Sequence, residues 1–168
     1  MPQVNPFIEA NGPCGVQLLA RRAYRCGDLV CQVRNFRLLE KATPQTIQVG
    51  PQVHIETDAL ARLNHACQPS VIIDAAALAV FAARDLAPGE ALTFFYPSTE
   101  WELDRPFICR CGSPRCLRFI AGARYLPLDL LARYFINPHI RELALAALTQ
   151  AKKLQSANGI SRPAEFKR

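Results

Sequence analysis

Three cysteines lie within eight residues of one another in a C-x-C-x4-C run. Cys109, Cys111 and Cys116 are too close for unstrained disulfides with one another, but they can place three sulfur atoms around one Zn(II) ion. Structural zinc sites are closed by four nitrogen or sulfur ligands, so a fourth ligand must come from elsewhere. Cys67 is the best candidate, and His65 is an alternative because imidazole also binds zinc. The sequence therefore predicts that one metal joins segments that are 42 residues apart.

The size and composition of the chain predict one domain with its own hydrophobic core. Its 168 residues fall within the usual size of a domain, and half of them are apolar, so a core can form without disulfides. No stretch has the apolar run of a signal peptide or a membrane span, so we expect a soluble intracellular protein, in cytoplasm or nucleus, without membrane association. Thiols stay reduced there, which favours metal ligation. The spacing resembles no ferredoxin run, which favours zinc over an iron–sulfur cluster.

The basic residues are scattered along the chain. The formal net charge is +6 and the isoelectric point is about 9.1, values that permit an acidic partner. One loose basic group contains Arg21, Arg22 and Arg25, and another lies near the C-terminus. Neither forms the combined basic and aromatic surface of a nucleic-acid platform, so we predict no sequence-specific nucleic-acid binding.

Short segments rich in strand-forming residues dominate the chain up to Tyr96. Gly, Pro and polar residues separate them, as expected for many short strands. The predicted strands are residues 16–20, 29–33, 46–49, 71–73, 78–82 and 91–96. Residues 58–63 predict one helical turn. These segments predict a mostly β domain with some α-helix, built from small sheets.

Beyond Tyr96 the pattern becomes helical. Thr99-Glu100-Trp101-Glu102 has the spacing of a capping box and predicts a short helix, and residues 128–135 predict another. Asn137-Pro138 predicts the start of a longer helix, with Asn as N-cap and Pro at the first helical position. The apolar stripe of that helix contains Ile140, Leu143, Ala144, Ala147, Leu148, Ala151 and Leu154. We expect the stripe to pack on its own domain, with a homodimer or a partner helix as the alternative, and the residues after Gln155 to be disordered.

Three motifs occur in the order in which SET-domain proteins carry them. Asn64-His65-Ala66-Cys67-Gln68-Pro69-Ser70 resembles the signature N-H-S-C-x-P-N. Gly89-Glu90-Ala91-Leu92-Thr93-Phe94-Phe95-Tyr96 resembles the strand G-E-x-L-T-[FY]-x-Y, and the run from Cys109 to Cys116 matches the post-SET C-x-C-G…C. Over roughly residues 11–122, the chain is identified as a member of the SET-domain family with a post-SET zinc loop.

This resemblance implies a β-clip fold in which small sheets surround a pseudoknot-like crossing of the chain. The SET domain would span residues 1–107, the post-SET loop 108–122, a C-terminal helical extension 123–155 and a disordered tail 156–168. One zinc ion per chain would be bound by Cys67, Cys109, Cys111 and Cys116.

The resemblance also implies a methyltransferase that uses S-adenosylmethionine and acts on a lysine of a protein substrate. The alternatives are an enzyme of the same fold acting on a small-molecule nucleophile, and a non-catalytic zinc-containing interaction module. Tyr96 occupies the position of the family's catalytic tyrosine. Phe94 occupies the position that sets how many methyl groups fit, and a phenylalanine there favours di- or trimethylation.

Five residues are expected to contact the cofactor. Asn64 and His65 would lie near its adenine and amino-acid portions, and Gly12 and Gly15 would let the backbone approach its methionine part. Phe119 is the predicted platform for adenine, because an aromatic face offers stacking, with Phe107 and Trp101 as alternatives.

The chain departs from the family pattern at several positions. Its glycine pair is spaced G-x-x-G instead of G-x-G, and Ser70 replaces the usual Asn. Phe95 replaces an acidic residue, which should make the site more apolar and reshape the substrate channel. The upstream pre-SET zinc cluster is absent, and Cys14, Cys26 and Cys31 are expected to be buried free thiols.

Overall fold

A computed structural model of the protein describes residues 5–13, 15–58 and 60–157. Within them, short strands predominate and helices are confined to the C-terminal part. The strands are β1 (Phe7–Gly12), β2 (Gly15–Ala20), β3 (Leu29–Gln32), β4 (Arg37–Leu39), β5 (Thr46–Gly50), β6 (Val53–Glu56), β7 (Asn64–His65), β8 (Val71–Asp74), β9 (Ala79–Ala82), β10 (Ala91–Phe94), β11 (Phe107–Ile108) and β12 (Phe119–Ile120). The α-helices are α1 (Leu128–Leu131) and α2 (Pro138–Ala157), and short 3-10 helices cover Tyr96–Ser98 and Ala123–Tyr125.

These strands form small sheets, which confirms the predicted mostly β fold class. One sheet has the order β1-β2-β10-β7, and two three-stranded sheets have the orders β3-β9-β8 and β4-β6-β5. A two-stranded sheet pairs β11 with β12. Each predicted strand is present, but the segment expected to continue to Tyr96 leaves the sheet after Phe94. The predicted turn at residues 58–63 is present as hydrogen bonds from the Leu60 and Ala61 amides to the Thr57 carbonyl.

The register of β10 positions the Asn-His dipeptide. On one side β10 pairs antiparallel with β2, where Leu92 lies opposite Leu18. On the other side it pairs parallel with β7, where Phe94 lies opposite His65. Leu92 and Leu18 are both buried in the main core, so a one-residue slip would expose them and is strongly disfavoured. The hydrophobic core therefore fixes where Asn64 and His65 lie relative to the end of β10.

The predicted helix at Thr99-Glu102 is absent, and the predicted helix at residues 128–135 ends at Leu131. The capping-box carboxylate, Glu102, accepts hydrogen bonds from Arg124 and Tyr125 instead of capping a helix. The neighbouring Glu100 carboxylate accepts one from the amide of Gln48 in β5 at 2.9 Å. The Gln48 side chain in turn accepts one from the Trp101 amide at 2.9 Å. These contacts across a long sequence separation replace the local capping geometry, and so the capping-box prediction is wrong.

Helix α2 begins at Pro138 as predicted, and the carbonyl of Asn137 at the N-cap position accepts from the Ile140 amide at 3.1 Å, but the Asn137 side chain does not cap the helix. That side chain accepts a hydrogen bond from the Ala75 amide at 2.8 Å. It donates to the carbonyls of Ile73 and Ser98, at 2.9 Å each. Because Asn137 is buried, these bonds attach the start of α2 to β8 and to the 3-10 helix.

The apolar stripe of α2 is only partly covered. Ile140 is fully buried against Phe95 and Leu131, whereas Ala147, Leu148, Ala151 and Leu154 are exposed. The expectation that the whole stripe packs on its own domain is therefore wrong, because the helix extends beyond the surface that covers its first turns. The homodimer or partner helix remains a prediction.

Further expectations concern the chain end and the cysteines outside the zinc motif. Helix α2 continues to Ala157, two residues past the predicted boundary at Gln155, and residues 158–168 lie outside the described part. Cys26 is exposed and Cys31 is half-buried, so the prediction that both are buried is wrong, although both are free thiols. Cys14 lies outside the described residues. None of the described helices is long and apolar enough to span a membrane.

Candidate functional site

The four predicted metal ligands meet in one cluster. The sulfur atoms of Cys67, Cys109, Cys111 and Cys116 all lie within 4.8 Å of one another, and those of Cys67 and Cys109 are 3.9 Å apart. Four thiolates around zinc at about 2.3 Å would lie about 3.8 Å from one another. The number, type and spacing of these donors therefore fit a structural zinc ion.

Backbone contacts hold the cluster together from both sides. The Cys109 amide donates to the Arg118 carbonyl at 2.7 Å, which closes the loop that follows β11. Within that loop Gly112 has a φ of 74°, a conformation that a side chain would strain. The Leu117 amide points at the Cys67 sulfur, 3.3 Å away, so the loop also contacts the ligand that comes from the SET signature.

His65 lies outside the four sulfurs, as a hydrogen-bond partner of one of them. Its Nδ1 accepts from the Tyr96 amide at 3.2 Å, and its Nε2 is 3.3 Å from the Cys67 sulfur. Burial lowers the pKa of the imidazole to about 4, so the ring is neutral. Because Nδ1 is an acceptor, Nε2 carries the proton of the neutral ring. The Nε2–H group therefore donates a hydrogen bond to the Cys67 sulfur. His65 thus links the cysteine cluster to Tyr96 and orients Cys67.

A pocket of about 360 Å³ lies between β7, the end of β10 and the first residues of the post-SET loop. Its buried lining is mainly apolar, with Ile47, Leu60 and Phe94 among it, and Thr46 and Glu100 are the buried polar members. Exposed residues such as Gln45 and Arg105 lie at its rim. Tyr96, Asn64, His65 and Phe107 also line it. Such a pocket can hold a mainly apolar group and direct a few polar atoms at it.

Tyr96 is one of the residues that line this pocket. The hydroxyl donates to the Leu63 carbonyl at 2.9 Å, and the ring lies 4.6 Å from that of Phe94, between centroids. Burial, assisted by the nearby Glu100 carboxylate, raises the Tyr96 pKa to about 12. The hydroxyl therefore stays protonated at neutral pH, and its oxygen can accept a hydrogen bond or lie against a positive charge.

Asn64 is connected to the glycine pair. Its side-chain amide donates to the Val16 carbonyl at 3.0 Å. Gly12 and Gly15 face each other where the β1–β2 hairpin closes, and Gly15 has a φ of 98°. A Cβ at Gly12 would lie 2.5 Å from the Gln17 side chain. The two glycines therefore lie at the end of the hairpin that Asn64 contacts, and their part in cofactor binding remains a prediction.

The aromatic candidates for adenine stacking lie in different places. Phe107 lines the pocket, with its ring 5.8 Å from that of His65. Phe119 is 53% exposed and does not line the pocket, and Trp101 packs beside the apolar cluster under α2. The geometry thus favours Phe107 at the pocket, and the role of Phe119 remains a prediction.

Two departures from the family pattern have structural roles away from the pocket. The Ser70 hydroxyl donates to the Ala91 carbonyl at 2.9 Å and accepts from the Thr93 amide at 2.8 Å, attaching the signature segment to β10. The Phe95 ring stacks on that of Tyr134, with centroids 3.7 Å apart. Phe95 does not itself line the pocket, although its ring lies 5.8 Å from that of His65, and its effect on a substrate channel remains a prediction.

Sequence reasoning missed Glu100 as a residue of this site. Glu100 was treated only as an interior residue of the capping-box segment, although it lines the pocket and is buried. The available signal was its position four residues after Tyr96 in a segment that also contains Trp101 and Pro97.

Comparisons with known proteins give one long match and several shorter ones. No protein-family model matches the chain. The methyltransferase flvH of Aspergillus flavus is 37% identical over 145 residues, which are 84% of this chain and 82% of that protein. A histone-lysine N-methyltransferase of Aspergillus oryzae, specific for histone H3 lysine 36, is 37% identical over 65 residues, 35% of this chain and 7% of its own length.

A solved structure agrees with these sequence matches. The crystal structure of KRYPTONITE in complex with mCHH DNA, an H3(1-15) peptide and SAH superposes with a TM-score of 0.52 and 19% identity. The match covers 67% of this chain and 29% of KRYPTONITE, and at that identity it supports the fold alone.

Proposed function

Because the chain belongs to the SET-domain methyltransferase family, we propose that it transfers a methyl group from S-adenosylmethionine to an amine. The preferred acceptor in this proposal is a lysine of a protein substrate. One observation carries it: Tyr96, Asn64 and His65 line one pocket that adjoins a cysteine cluster of zinc-site geometry.

The residues around Asn64 support S-adenosylmethionine as the methyl donor. The demethylated form, SAH, is present in the KRYPTONITE structure. The donor is a sulfonium whose methyl carbon is attacked by a nucleophile, after which it leaves as a neutral thioether. In this chain the Asn64 amide and the backbone of the Gly12–Gly15 turn would hold the polar ends of the donor, and the post-SET loop would form a wall.

Tyr96 is proposed to position the acceptor. A lysine amine with a pKa near 10.4 is protonated at neutral pH, and only the neutral amine has a free electron pair. The apolar walls of the pocket favour the neutral form by desolvation. The Tyr96 oxygen would then orient the amine and stabilise the positive charge that moves from sulfur to nitrogen. Phe94, which has no hydroxyl, leaves room for a methylated amine to rotate, consistent with di- or trimethylation.

A small-molecule amine is the second candidate acceptor. The matches to histone-lysine methyltransferases cover only about a third of this chain, whereas the match over most of the chain is to a protein described only as a methyltransferase. The size of the pocket suits a lysine side chain or a compact amine equally well.

Incubation with radiolabelled S-adenosylmethionine and either a protein extract or a metabolite extract tests both candidates. Label in protein lysines would support the first acceptor class, and label in a low-molecular-weight amine would support the second. A zinc-loaded, folded protein that labels neither extract would contradict the proposed activity.

The role of Tyr96 is tested by Tyr96→Phe, with Tyr125→Phe as the matched control. Tyr125 is exposed and bonds to Glu102 outside the pocket. We expect Tyr96→Phe to retain zinc and donor affinity while kcat falls by roughly a hundredfold or more. Tyr125→Phe should retain full turnover, and unchanged turnover in Tyr96→Phe would refute the positioning role.

A further inference from the structure

Glu100 is unusual among the acidic residues of the chain. It is 4% exposed, and it is the only buried acidic residue in the described part of the chain. A buried carboxylate is unfavourable unless a partner compensates its charge. Yet Glu100 takes part in none of the ion pairs found among the described residues.

The hydrogen bonds of Glu100 satisfy only one of its two oxygens. Oε1 accepts from the Gln48 amide at 2.9 Å and from the Thr99 hydroxyl at 3.0 Å. No hydrogen bond from the described residues reaches Oε2. An ionised carboxylate can accept about four hydrogen bonds, so half of this group is available to another molecule.

The pocket is the place from which such a molecule would approach. Glu100 lines it together with Tyr96, while the buried neighbours Ile47, Leu60 and Phe94 are apolar. The Glu100 charge is near enough to contribute to the raised pKa of Tyr96. Asp104, Arg105 and Arg110 also line the pocket, but they are exposed, so water screens their charges. Glu100 is therefore the unscreened charge of the pocket.

We infer that the Glu100 carboxylate binds the positively charged ammonium form of the substrate amine as it enters and selects amines over neutral molecules of the same shape. The bound ammonium then releases a proton to water before the neutral amine attacks the methyl group. This inference rests on the proposed function for its substrate class, but the binding can be measured without methyl transfer. A charge-assisted hydrogen bond in a desolvated pocket is worth more than one in water, so a single carboxylate suffices for the selectivity.

A simpler role for Glu100 would be structural, since it also connects the edge of β5 to the segment after Tyr96. Glu100→Gln separates the two roles. The Gln side chain keeps an oxygen that can accept from the Gln48 amide and the Thr99 hydroxyl, so it can retain these structural bonds. It removes the negative charge, on which ammonium binding depends.

The test uses n-butylammonium chloride and n-butanol as probes at pH 8, titrated into the zinc-loaded protein and followed by NMR chemical shifts. For the wild type we expect n-butylammonium to bind at least tenfold more tightly than n-butanol. Glu100→Gln should weaken n-butylammonium binding about tenfold or more and leave n-butanol binding unchanged. The control is Glu102→Gln, because Glu102 is exposed, bonds to Arg124 and does not line the pocket. This variant should match the wild type with both probes.

Equal affinity of the wild type for the two probes, or equal n-butylammonium affinity in wild type and Glu100→Gln, would overturn the inference. Donor binding is measured separately on the same samples. A protein that binds S-adenosylmethionine and methylates an amine, but shows no loss of n-butylammonium binding in Glu100→Gln, would retain the proposed function and lose this inference. Selective n-butylammonium binding without any donor binding would retain this inference and contradict the proposed function.

Discussion

The four-stranded sheet and the post-SET loop hold their functional residues by different means. In the sheet, Asn64 and His65 are aligned with β10 by backbone pairing, and buried residues such as Leu92 fix that register. In the loop, β11 and β12 have two residues each, and much of the segment between them is exposed. Burial of apolar side chains can fold the first region, whereas the second has too little apolar surface to do so and depends on its cysteines.

The sheet and the loop therefore have different structural roles at the same site. The sheet, in which Phe94 is the last residue of β10, provides a rigid floor, and Tyr96 follows it at the start of a 3-10 helix. The loop, together with Phe107 of β11, provides a wall. We expect the order of this wall to depend on a bound ion. His65 joins the two regions, because its ring bonds to the Tyr96 amide on one side and to the Cys67 sulfur on the other.

The largest expected effect comes from removing one sulfur from the cluster. Cys109→Ser should reduce bound zinc from about one ion per chain to nearly none, because three remaining thiolates do not close a structural site. Hydrogen exchange should then accelerate in residues 107–122 while the β2 and β10 amides stay protected. Cys26→Ser is the control, since Cys26 is an exposed thiol outside the cluster.

Elemental analysis and hydrogen exchange followed by mass spectrometry measure these changes. Loss of protection throughout the sheet in Cys109→Ser would contradict the comparison, because it would mean that the metal also holds the floor of the site. Full zinc content in that variant would contradict the assigned ligand set.

The next effect concerns the core of the sheet. Leu92→Ala removes a fully buried side chain, and we expect the free energy of unfolding to fall by about 2–5 kcal/mol. Under conditions where the variant remains folded, its zinc content should equal that of the wild type. Urea denaturation gives the stability, and elemental analysis of the folded variant gives the metal. A folded variant that has lost zinc would show that the two regions are not independent.

The sequence predicted those parts of the molecule in which the signal is local. Short runs of strand-forming residues between turn residues identified the strands, and cysteine spacing identified the cluster, because both signals belong to a short segment. The family motifs then indicated Tyr96 and Asn64 as residues of one pocket.

Where the sequence failed, distant contacts had replaced local preferences. Thr99 and Glu102 fit a capping box, but the Glu102 carboxylate bonds to Arg124 and Tyr125. The carboxylate of Glu100, between them, bonds to Gln48, which is 52 residues away in the chain. Asn137 fits an N-cap, but its side chain attaches three distant backbone groups instead. Phe95 lies just beyond the end of β10, and its ring stacks on that of Tyr134, a contact that no strand pattern indicates.

The smallest expected effect is a pH-dependent gain of stability in Glu100→Gln. Glu100 lies in the segment that connects the end of the four-stranded sheet to the post-SET loop. Burial raises the Glu100 pKa from 4.5 to about 7, so between these pH values the folded protein holds a proton that the unfolded chain has released. The contribution of this group to stability therefore falls as pH rises through that window, and above about pH 7 the full penalty of a buried charge applies. Removing the charge should stabilise the protein at pH 8 by about 1–3 kcal/mol, with little gain at pH 4.5.

Urea denaturation of wild type and variant at both pH values measures the difference in free energy of unfolding. The contributions of other titrating groups, such as the buried His54 and His139, are common to both proteins and cancel in that difference. Glu102→Gln should show no such gain, because the Tyr125 hydroxyl and Arg124 lower the pKa of Glu102 in the folded state. A Glu100→Gln protein that is no more stable than wild type at pH 8 would mean that the Gln48 and Thr99 bonds already compensate the charge. The carboxylate would then have a structural role and no unfavourable buried charge.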